Sequence, residues 1–171
     1  MKNFKLLLIC LAVLCAGSQV LYAQSKKEKA EKKAGAVKEL INSRHYTVDV
    51  LRAYPMGGES VNLTSPYSLE IRGDSLISYL PYFGRAYSIP YGGGKALNFD
   101  APISDYSLVY PKKRKAIIKF TTMTNEDIYS YTINIYMNGN TDIIVNSQNR
   151  QSINFQGDAV VDLQKPSVNK Q

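Results

Sequence analysis

The chain has 171 residues, of which 44% are hydrophobic and 20% are charged, and its formal net charge is +7. This length is enough for one compact domain with its own core, and short for two. Most of the excess positive charge lies near the N-terminus, because residues 24–44 carry seven basic and three acidic side chains whereas residues 45–171 carry twelve and eleven. A nearly neutral body argues against a nucleic-acid-binding domain, and we expect no nucleic-acid partner.

Residues 1–23 have the organisation of a secretory signal peptide. Lys2 and Lys5 precede an apolar run from Leu6 to Leu14, and small residues lead to a cleavage position near Ala23. The apolar run is shorter than the roughly 20 residues that a membrane-spanning helix needs. We therefore expect an exported protein, periplasmic or secreted, that is cleaved near Ala23.

Both cysteines, Cys10 and Cys15, lie inside the predicted signal peptide. Neither follows the small residue of a lipoprotein processing site, because Ile9 precedes Cys10 and Leu14 precedes Cys15. After cleavage the chain would contain no cysteine and therefore no disulfide. This is typical of a bacterial envelope protein rather than of a small eukaryotic secreted domain, which usually relies on cross-links.

Residues 24–44 predict a basic helix or linker, since they are rich in Ala, Lys and Glu and contain no proline. Helical periodicity aligns one apolar stripe, made of Ala30, Ala34, Val37, Leu40 and Ile41. We expect a surface helix that docks by its C-terminal half. A functional alternative is peripheral contact of its basic side chains with an anionic surface.

From His45 onward the apolar period becomes alternating, which predicts a single β-rich domain over residues 45–160 and a disordered tail over 161–171. The predicted strands cover residues 46–51, 67–72, 76–80, 104–110, 116–123, 128–137, 142–146 and 152–155. Gly73-Asp74 and Asn138-Gly139 predict tight hairpins, the second with positive φ at both turn residues. The fold class is therefore mainly β: an antiparallel meander that closes into a barrel or a sandwich, with one N-terminal α-helix.

Catalytic groups are scarce in this sequence. Beyond the signal peptide there is no thiol, and His45 is the single histidine. Gly92–Gly94 is not followed by the Lys-Ser/Thr of a phosphate loop, and no Gly-x-Ser-x-Gly elbow occurs. Asp74, Asp100 and Asp105 could act as acid and base, but each lies beside turn signals where Asp stabilises the local backbone. We expect no enzyme, no cofactor and no metal.

Residues 112–115 read Lys-Lys-Arg-Lys, within a predicted turn over residues 111–115. The structural interpretation is a solvated hairpin turn between two strands. The functional alternative is contact with a polyanion.

Residues 78–94 are the most unusual stretch, because aromatic residues alternate there with prolines and glycines. Pro81 cannot donate a ladder hydrogen bond, so the preceding strand should end beside it. One interpretation is a lid of aromatic side chains that closes one end of the barrel. The other is a stacking platform for a sugar, lipid or other small ligand. The candidate ligand-binding residues are Tyr79, Tyr82, Phe83, Arg85, Tyr87 and Tyr91.

Three parts of the sequence resemble those of a known protein family. They are the string Tyr79–Tyr87, the Gly-rich turn before Leu97-Asn98-Phe99, and Asn149-Arg150-Gln151 with Ile153 and Gly157. The chain resembles the domain-of-unknown-function family 4251 of exported Bacteroides-type proteins, over essentially its whole length after the signal peptide. The resemblance implies an envelope or secreted protein with one β-rich domain. It implies no activity, cofactor or catalytic residue.

Three hypotheses follow for an uncharacterised exported bacterial envelope protein. The first is a non-enzymatic β module that binds a small ligand or an envelope component at the aromatic segment. The second is a structural or interaction protein of the envelope, and the third is a glycan-directed hydrolase. An open cavity lined by Tyr82, Phe83, Arg85 and Tyr87 would favour the first hypothesis, and a filled barrel with those rings buried would exclude it.

Overall fold

A computed structural model of the chain describes residues 26–88, 94–112 and 114–161. Helix α1 covers residues 26–43 and is followed directly by the first strand. Eight strands follow: β1 (His45–Pro55), β2 (Val61–Arg72), β3 (Ser75–Tyr79), β4 (Asn98–Lys112), β5 (Lys115–Met123), β6 (Ile128–Tyr136), β7 (Asn140–Ser147) and β8 (Ile153–Ala159).

The strands form one closed barrel in which each pairs with its neighbour in sequence and β1 pairs with β8. Every pairing is antiparallel, as consecutive hairpins require. At the closing pair, Val50 faces Gly157 and a bulge follows before Arg52 faces Gln156. The prediction of a meander is confirmed, and of its two alternatives the barrel is the correct one, because full closure leaves no unpaired edge.

The two ends of the barrel differ in what covers them. We call the end with the β2–β3, β4–β5 and β6–β7 turns the helix end, since α1 packs there. The opposite end, the loop end, carries the β1–β2, β5–β6 and β7–β8 connections together with the long β3–β4 connection (residues 80–97). Because strands alternate in direction, this division follows from the meander itself.

Helix α1 belongs to the same core as the barrel. Val37 and Ile41 have no exposed surface, which confirms docking by the C-terminal half of the helix. The hydroxyl of Tyr110 on β4 donates to Asn42 Oδ1 at 2.8 Å, and the Lys38 ammonium lies 5.5 Å from the Tyr110 ring centroid. No helix in the described ranges is both long and apolar enough to cross a bilayer.

Large side chains fill the barrel interior. Tyr129, Tyr131 and Phe155 are each at most 1% exposed, and Phe120 stacks on Tyr131 with centroids 5.1 Å apart. Alternate residues of β6 point inward, as the period-two pattern of Tyr129, Tyr131, Ile133 and Ile135 predicts. The interior is a packed core rather than an open ligand cavity.

Several strands are longer than predicted. The segments 61–66 and 98–103 belong to β2 and β4, although neither was predicted as strand, and β8 continues to Ala159 rather than ending at residue 155. Prolines at 66 and 102 and weak alternation hide these extensions in the sequence. Pairing with neighbouring strands overrides these local signals.

The β6–β7 turn differs in type from the prediction. It spans three residues, Met137 to Gly139, and Gly139 N–H donates to Tyr136 O at 2.8 Å. Only Gly139 has a positive φ, 95°, so the two-residue turn with positive φ at Asn138 was wrong. The three-residue form needs the glycine conformation at one position alone. At the β2–β3 turn, Gly73 with φ 61° confirms the predicted tight hairpin.

Candidate functional site

The β3–β4 connection closes the loop end and is fixed where it enters and leaves the sheet. Leu80 N–H donates to Leu97 O at 3.4 Å, and both leucines are 1% exposed. The Ser78 hydroxyl donates to Leu97 O at 2.6 Å. The connection therefore starts and ends on one buried point of the core, with Pro81 just outside it.

The middle of this connection is joined to the β7–β8 connection by backbone pairing. Ala86 and Arg150 form an isolated antiparallel bridge. Tyr87 N–H donates to Asn149 O at 2.7 Å, and Gln151 N–H donates to Arg85 O at 3.0 Å. These hydrogen bonds fix the backbone of residues 85–87 alongside the β7–β8 connection.

Two of the predicted site residues contribute to closure. Phe83 is partly buried and packs against the core. The hydroxyl of Tyr82 lies 2.9 Å from Arg85 O and 3.0 Å from Gln151 O, so its proton is donated to backbone carbonyls. Burial raises the pKa of Tyr82, and the nearby Arg150 guanidinium opposes this only in part. Tyr82 is therefore held as a neutral phenol.

The other predicted site residues in the described ranges are more exposed than these two. Tyr79 is 50% exposed on β3 and stacks on Tyr67 with centroids 5.4 Å apart. Arg85 is exposed, and Tyr87 is 70% exposed. Tyr91 lies outside the described residues. The structure thus separates a partly buried pair, Tyr82 and Phe83, from an exposed set.

A buried ionic cluster beneath the connection was not predicted from the sequence. We call Glu126, Asp127 and Arg150 the anchor cluster. An Arg150 terminal nitrogen lies 3.0 Å from Glu126 Oε2, and Arg150 Nε lies 3.8 Å from Asp127 Oδ2. Arg150 is 6% and Asp127 5% exposed, and the Arg150 guanidinium is 5.6 Å from the Tyr82 ring centroid. Because these charges pair with one another, the free-energy cost of removing them from water is offset.

Asp127 organises the β7–β8 connection through its carboxylate. The backbone N–H groups of Ile128, Gln148 and Asn149 donate to it at 2.8, 3.1 and 3.3 Å, and the Ser147 hydroxyl also donates. Hydrogen bonds to backbone amides satisfy the carboxylate where water is excluded.

Glu126 links the cluster to the returning limb of the β3–β4 connection. The Lys95 N–H donates to Glu126 Oε1 at 2.8 Å. A Cβ at Gly94 would lie 2.5 Å from Glu126 Oε2, so a larger residue here would displace the end of that side chain. The hydroxyl of Tyr129 donates to Ala96 O at 2.9 Å, and burial raises the pKa of Tyr129 to about 12. The anchor cluster therefore ties three loops together.

A groove of about 440 Å³ opens on the outer face beside this returning limb. We call it the rim groove. Its lining combines an exposed methionine with charged and amide side chains: Lys95, Asn98, Asp100, Met123, Asn125 and Glu126, over backbone that includes Ala101 and Pro102. Met123 is 65% exposed. Such a lining offers donors, acceptors and apolar contacts to a small molecule.

The other candidate chemical groups have structural partners or remain dispersed. Asp74 pairs with Arg44 at 2.8 Å, and His45 Nδ1 lies 2.8 Å from Ser43 O. Asp105 has a positive φ of 54° at a bulge in β4. Within the described ranges, no group of three His, Cys, Asp or Glu side chains has the arrangement of a metal site.

The sequence predicts a turn over residues 125–127 but gives no sign that this turn contacts Arg150. A usable signal existed, because Asn149-Arg150-Gln151 and the aromatic string carry the family resemblance together. That signal does not show which charge is buried, because Arg85 in the aromatic string is exposed whereas Arg150 is 6% exposed. The partner itself, 24 residues away, could not be read from spacing.

The class of protein defined by this geometry is a filled, eight-stranded antiparallel barrel that is capped at one end by a helix and closed at the other by an anchored loop. The family model described as "Domain of unknown function (DUF4251)" matches residues 28–159. The chain belongs to the DUF4251 family, as the resemblance in its sequence predicts.

Among solved structures, the chain is similar to the crystal structure of a DUF4251 family protein from Bacteroides eggerthii DSM 20697. The TM-score is 0.58 at 13% sequence identity, and the match covers 77% of this chain and 89% of that one. At this identity the likeness establishes the fold alone. No curated protein matches the sequence significantly.

Proposed function

We propose that the protein is an exported, non-enzymatic binding module of the bacterial cell envelope, and that a small polar ligand binds in its rim groove. The observation that carries this proposal is a groove of about 440 Å³, one side of which is fixed by the bonds of Glu126 to Arg150 and to the Lys95 backbone. Ligand sites are concave surfaces of roughly 300–1,000 Å³ with a few fixed polar groups. The barrel interior is filled by side chains such as Tyr131 and Phe155, so the ligand belongs outside it.

The polar groups of the rim groove define the ligand class. Asp100 is exposed on β4 and accepts hydrogen bonds, Asn98 and Asn125 can donate and accept, and Met123 supplies apolar contact. This combination suits a hydroxylated small molecule such as a sugar better than a flat apolar one. Preorganisation by the Glu126–Arg150 pair lowers the entropy lost on binding.

Native mass spectrometry of protein recovered from its own envelope tests this proposal. We expect a retained small molecule, which Asp100→Asn removes. Glu59→Gln is the matched control, since it also removes one exposed carboxylate but lies in the β1–β2 connection, away from the groove. Recovery of ligand-free protein, or retention that is unchanged by Asp100→Asn, would count against the rim groove.

A second candidate function is interaction with another envelope component through the exposed part of the β3–β4 connection. Arg85 and Tyr87 are both exposed on backbone that is bonded to residues 149–151. Tyrosine and arginine are enriched in binding hot spots, and a fixed backbone lowers the entropy lost on association. In a co-purification experiment, Arg85→Ala with Tyr87→Ala should release such a partner while Asp100→Asn retains it. The opposite pattern of losses would favour the small ligand.

A further inference from the structure

A second groove, at the opposite end of the barrel, has a different chemical character. It has a volume of about 390 Å³ and lies between helix α1 and the neighbouring turns. We call it the helix groove. Its lining is mostly apolar, with two cations: Ala30, Lys33, Ala34, Arg114, Tyr136, Met137 and Asn138.

The apolar part of the helix groove is formed where the N-terminal half of α1 faces the β6–β7 turn. Ala30 is exposed and Ala34 is partly exposed, so the small side chains of the helix leave room beside Met137. Tyr136 is 37% exposed, and the Lys115 ammonium lies 5.9 Å from its ring centroid. The groove therefore has a small apolar floor that is bordered by charged side chains.

The cations of the helix groove come from two different elements. Lys33 projects from the helix toward the β6–β7 turn, with its Cε and Nζ 3.6 Å from where a Cβ on Gly139 would lie. The backbone of Arg114 is fixed beside the β6–β7 turn, because the Arg114 carbonyl accepts a hydrogen bond of 3.0 Å from Met137 N–H. Among the described residues, neither cation has a carboxylate within ion-pair distance.

The surroundings extend the positive charge well beyond the groove. Residues 26–43 carry six lysines against three glutamates, and Lys115 adds a cation beside Tyr136. Basic side chains near an anionic leaflet each strengthen adsorption, and apolar contact at the same face adds to it. This combination of positive charge and apolar surface therefore suits an anionic amphiphile, such as a lipid at a bilayer surface.

We propose that the helix groove binds an acidic phospholipid at a bilayer surface, with the lipid phosphate against Lys33 and Arg114 and its apolar part against Ala30, Ala34, Tyr136 and Met137. A soluble anion alone would leave the apolar floor without a contact, and a neutral apolar ligand would gain nothing from the two exposed cations. This site is independent of the rim groove, which lies toward the other end of the barrel, so either proposal can fail without the other.

Vesicle flotation of the processed protein, as purified from the producing cell, tests the proposal. We expect binding to vesicles that contain phosphatidylglycerol and none to vesicles of phosphatidylcholine alone. Lys33→Ala with Arg114→Ala should weaken binding about 30-fold, since each lost contact with the phosphate weakens it about fivefold. Thermal unfolding of each variant shows that the fold is kept.

Two further variants distinguish the groove from bulk charge. Lys27→Ala with Lys32→Ala removes the same charge from helix positions outside the groove lining, and should weaken binding less than about fivefold. Ala30→Gln leaves the net charge unchanged but fills the groove, and should weaken binding about tenfold. Equal losses for the two charge pairs, full binding by Ala30→Gln, or no binding to acidic vesicles would each overturn the proposal.

Discussion

Arg150 and Glu126 form a largely buried ion pair that joins the β7–β8 connection to the β5–β6 turn. Their side chains are 6% and 22% exposed, and the nitrogen–oxygen distance is 3.0 Å. The same glutamate accepts a hydrogen bond from the backbone of Lys95, and the guanidinium lies over the Tyr82 ring. One ion pair therefore holds both the aromatic limb and the returning limb of the loop that closes the barrel.

Replacing Arg150 by methionine should destabilise the protein strongly. The change keeps most of the side-chain length but leaves Glu126 and Asp127 without their cation, and breaking a buried pair in this way costs about 3–5 kcal/mol. Urea unfolding measures the loss, and amide hydrogen exchange should show faster exchange at Tyr87 and Lys95. The matched control is Arg85→Met, an exposed position where we expect a change within about 0.5 kcal/mol. Equal effects of the two substitutions would contradict the anchoring role.

Replacing Gly157 by alanine should disturb the closure of the barrel. A Cβ there would lie 2.0 Å from the backbone oxygen of Asp49, and backbone on the paired strand cannot move aside without breaking the β1–β8 ladder. Overpacking typically costs about 1–3 kcal/mol, and we expect the upper end or beyond, measured as a lower urea midpoint.

Gly35→Ala makes the same substitution at an uncrowded position and should have the opposite effect on stability. Nothing lies within 4 Å of a Cβ at this helical position, so alanine should stabilise the protein by about 0.5–1 kcal/mol. A stabilising Gly157→Ala, or a destabilising Gly35→Ala, would show that the packing described for these glycines is wrong.

Two buried tyrosines should respond in opposite ways to loss of the hydroxyl. Tyr129→Phe removes the hydrogen bond to Ala96 O and should cost about 1 kcal/mol or somewhat more. Tyr131 is 1% exposed and its hydroxyl has no hydrogen-bond partner among the described residues. Tyr131→Phe should therefore be neutral or stabilising, because it removes an unsatisfied buried group. The unfolding free energies of the two variants test this ordering directly.

Stability should fall at high pH. Burial raises the pKa of Tyr129 to about 12 from an ordinary 10.0, and burial also raises the pKa values of Tyr46 and Tyr131. Above pH 10 the unfolded chain loses these protons while the folded protein keeps them, so the unfolded state binds fewer protons and the free energy of unfolding falls as pH rises. The contribution of Tyr129 is fully present below pH 10 and is lost as pH rises to about 12.

Urea unfolding at a series of pH values across this window measures the slope. Tyr129→Phe removes one of the groups that cause it and should flatten the decline. A free energy of unfolding that stays constant above pH 10, or a slope that Tyr129→Phe leaves unchanged, would contradict the assigned burial.

Local pattern predicted most strands because inward and outward residues alternate wherever a strand has one buried face. It predicted β6 nearly to the residue, since Tyr129, Tyr131, Ile133 and Ile135 recur with period two. It did not predict residues 98–103 of β4, where Pro102 weakens the strand signal. Their extended conformation is stabilised by pairing with Ser75–Tyr79, a contact that sequence spacing does not reveal.

For the aromatic segment, too, the local sequence indicated some features and tertiary packing determined the others. The sequence located the loop, and Pro81 correctly indicated the end of the strand before it. It grouped five residues as one surface, whereas the fold partly buries Tyr82 and Phe83 and exposes Tyr79, Arg85 and Tyr87. Which side of a loop faces the core depends on what packs beneath it, here Arg150 and its partners.

By itself, the sequence of this DUF4251 protein determined a meander of one-sided strands, a docked helix and a conspicuous loop, because periodicity and turn chemistry act over a few residues. Only the tertiary structure decided that the meander closes as a barrel, through the register of Val50 with Gly157. It also decided that Glu126 and Arg150, 24 residues apart, share one buried site. Such contacts depend on three-dimensional proximity and desolvation, and these exist only once the chain has folded.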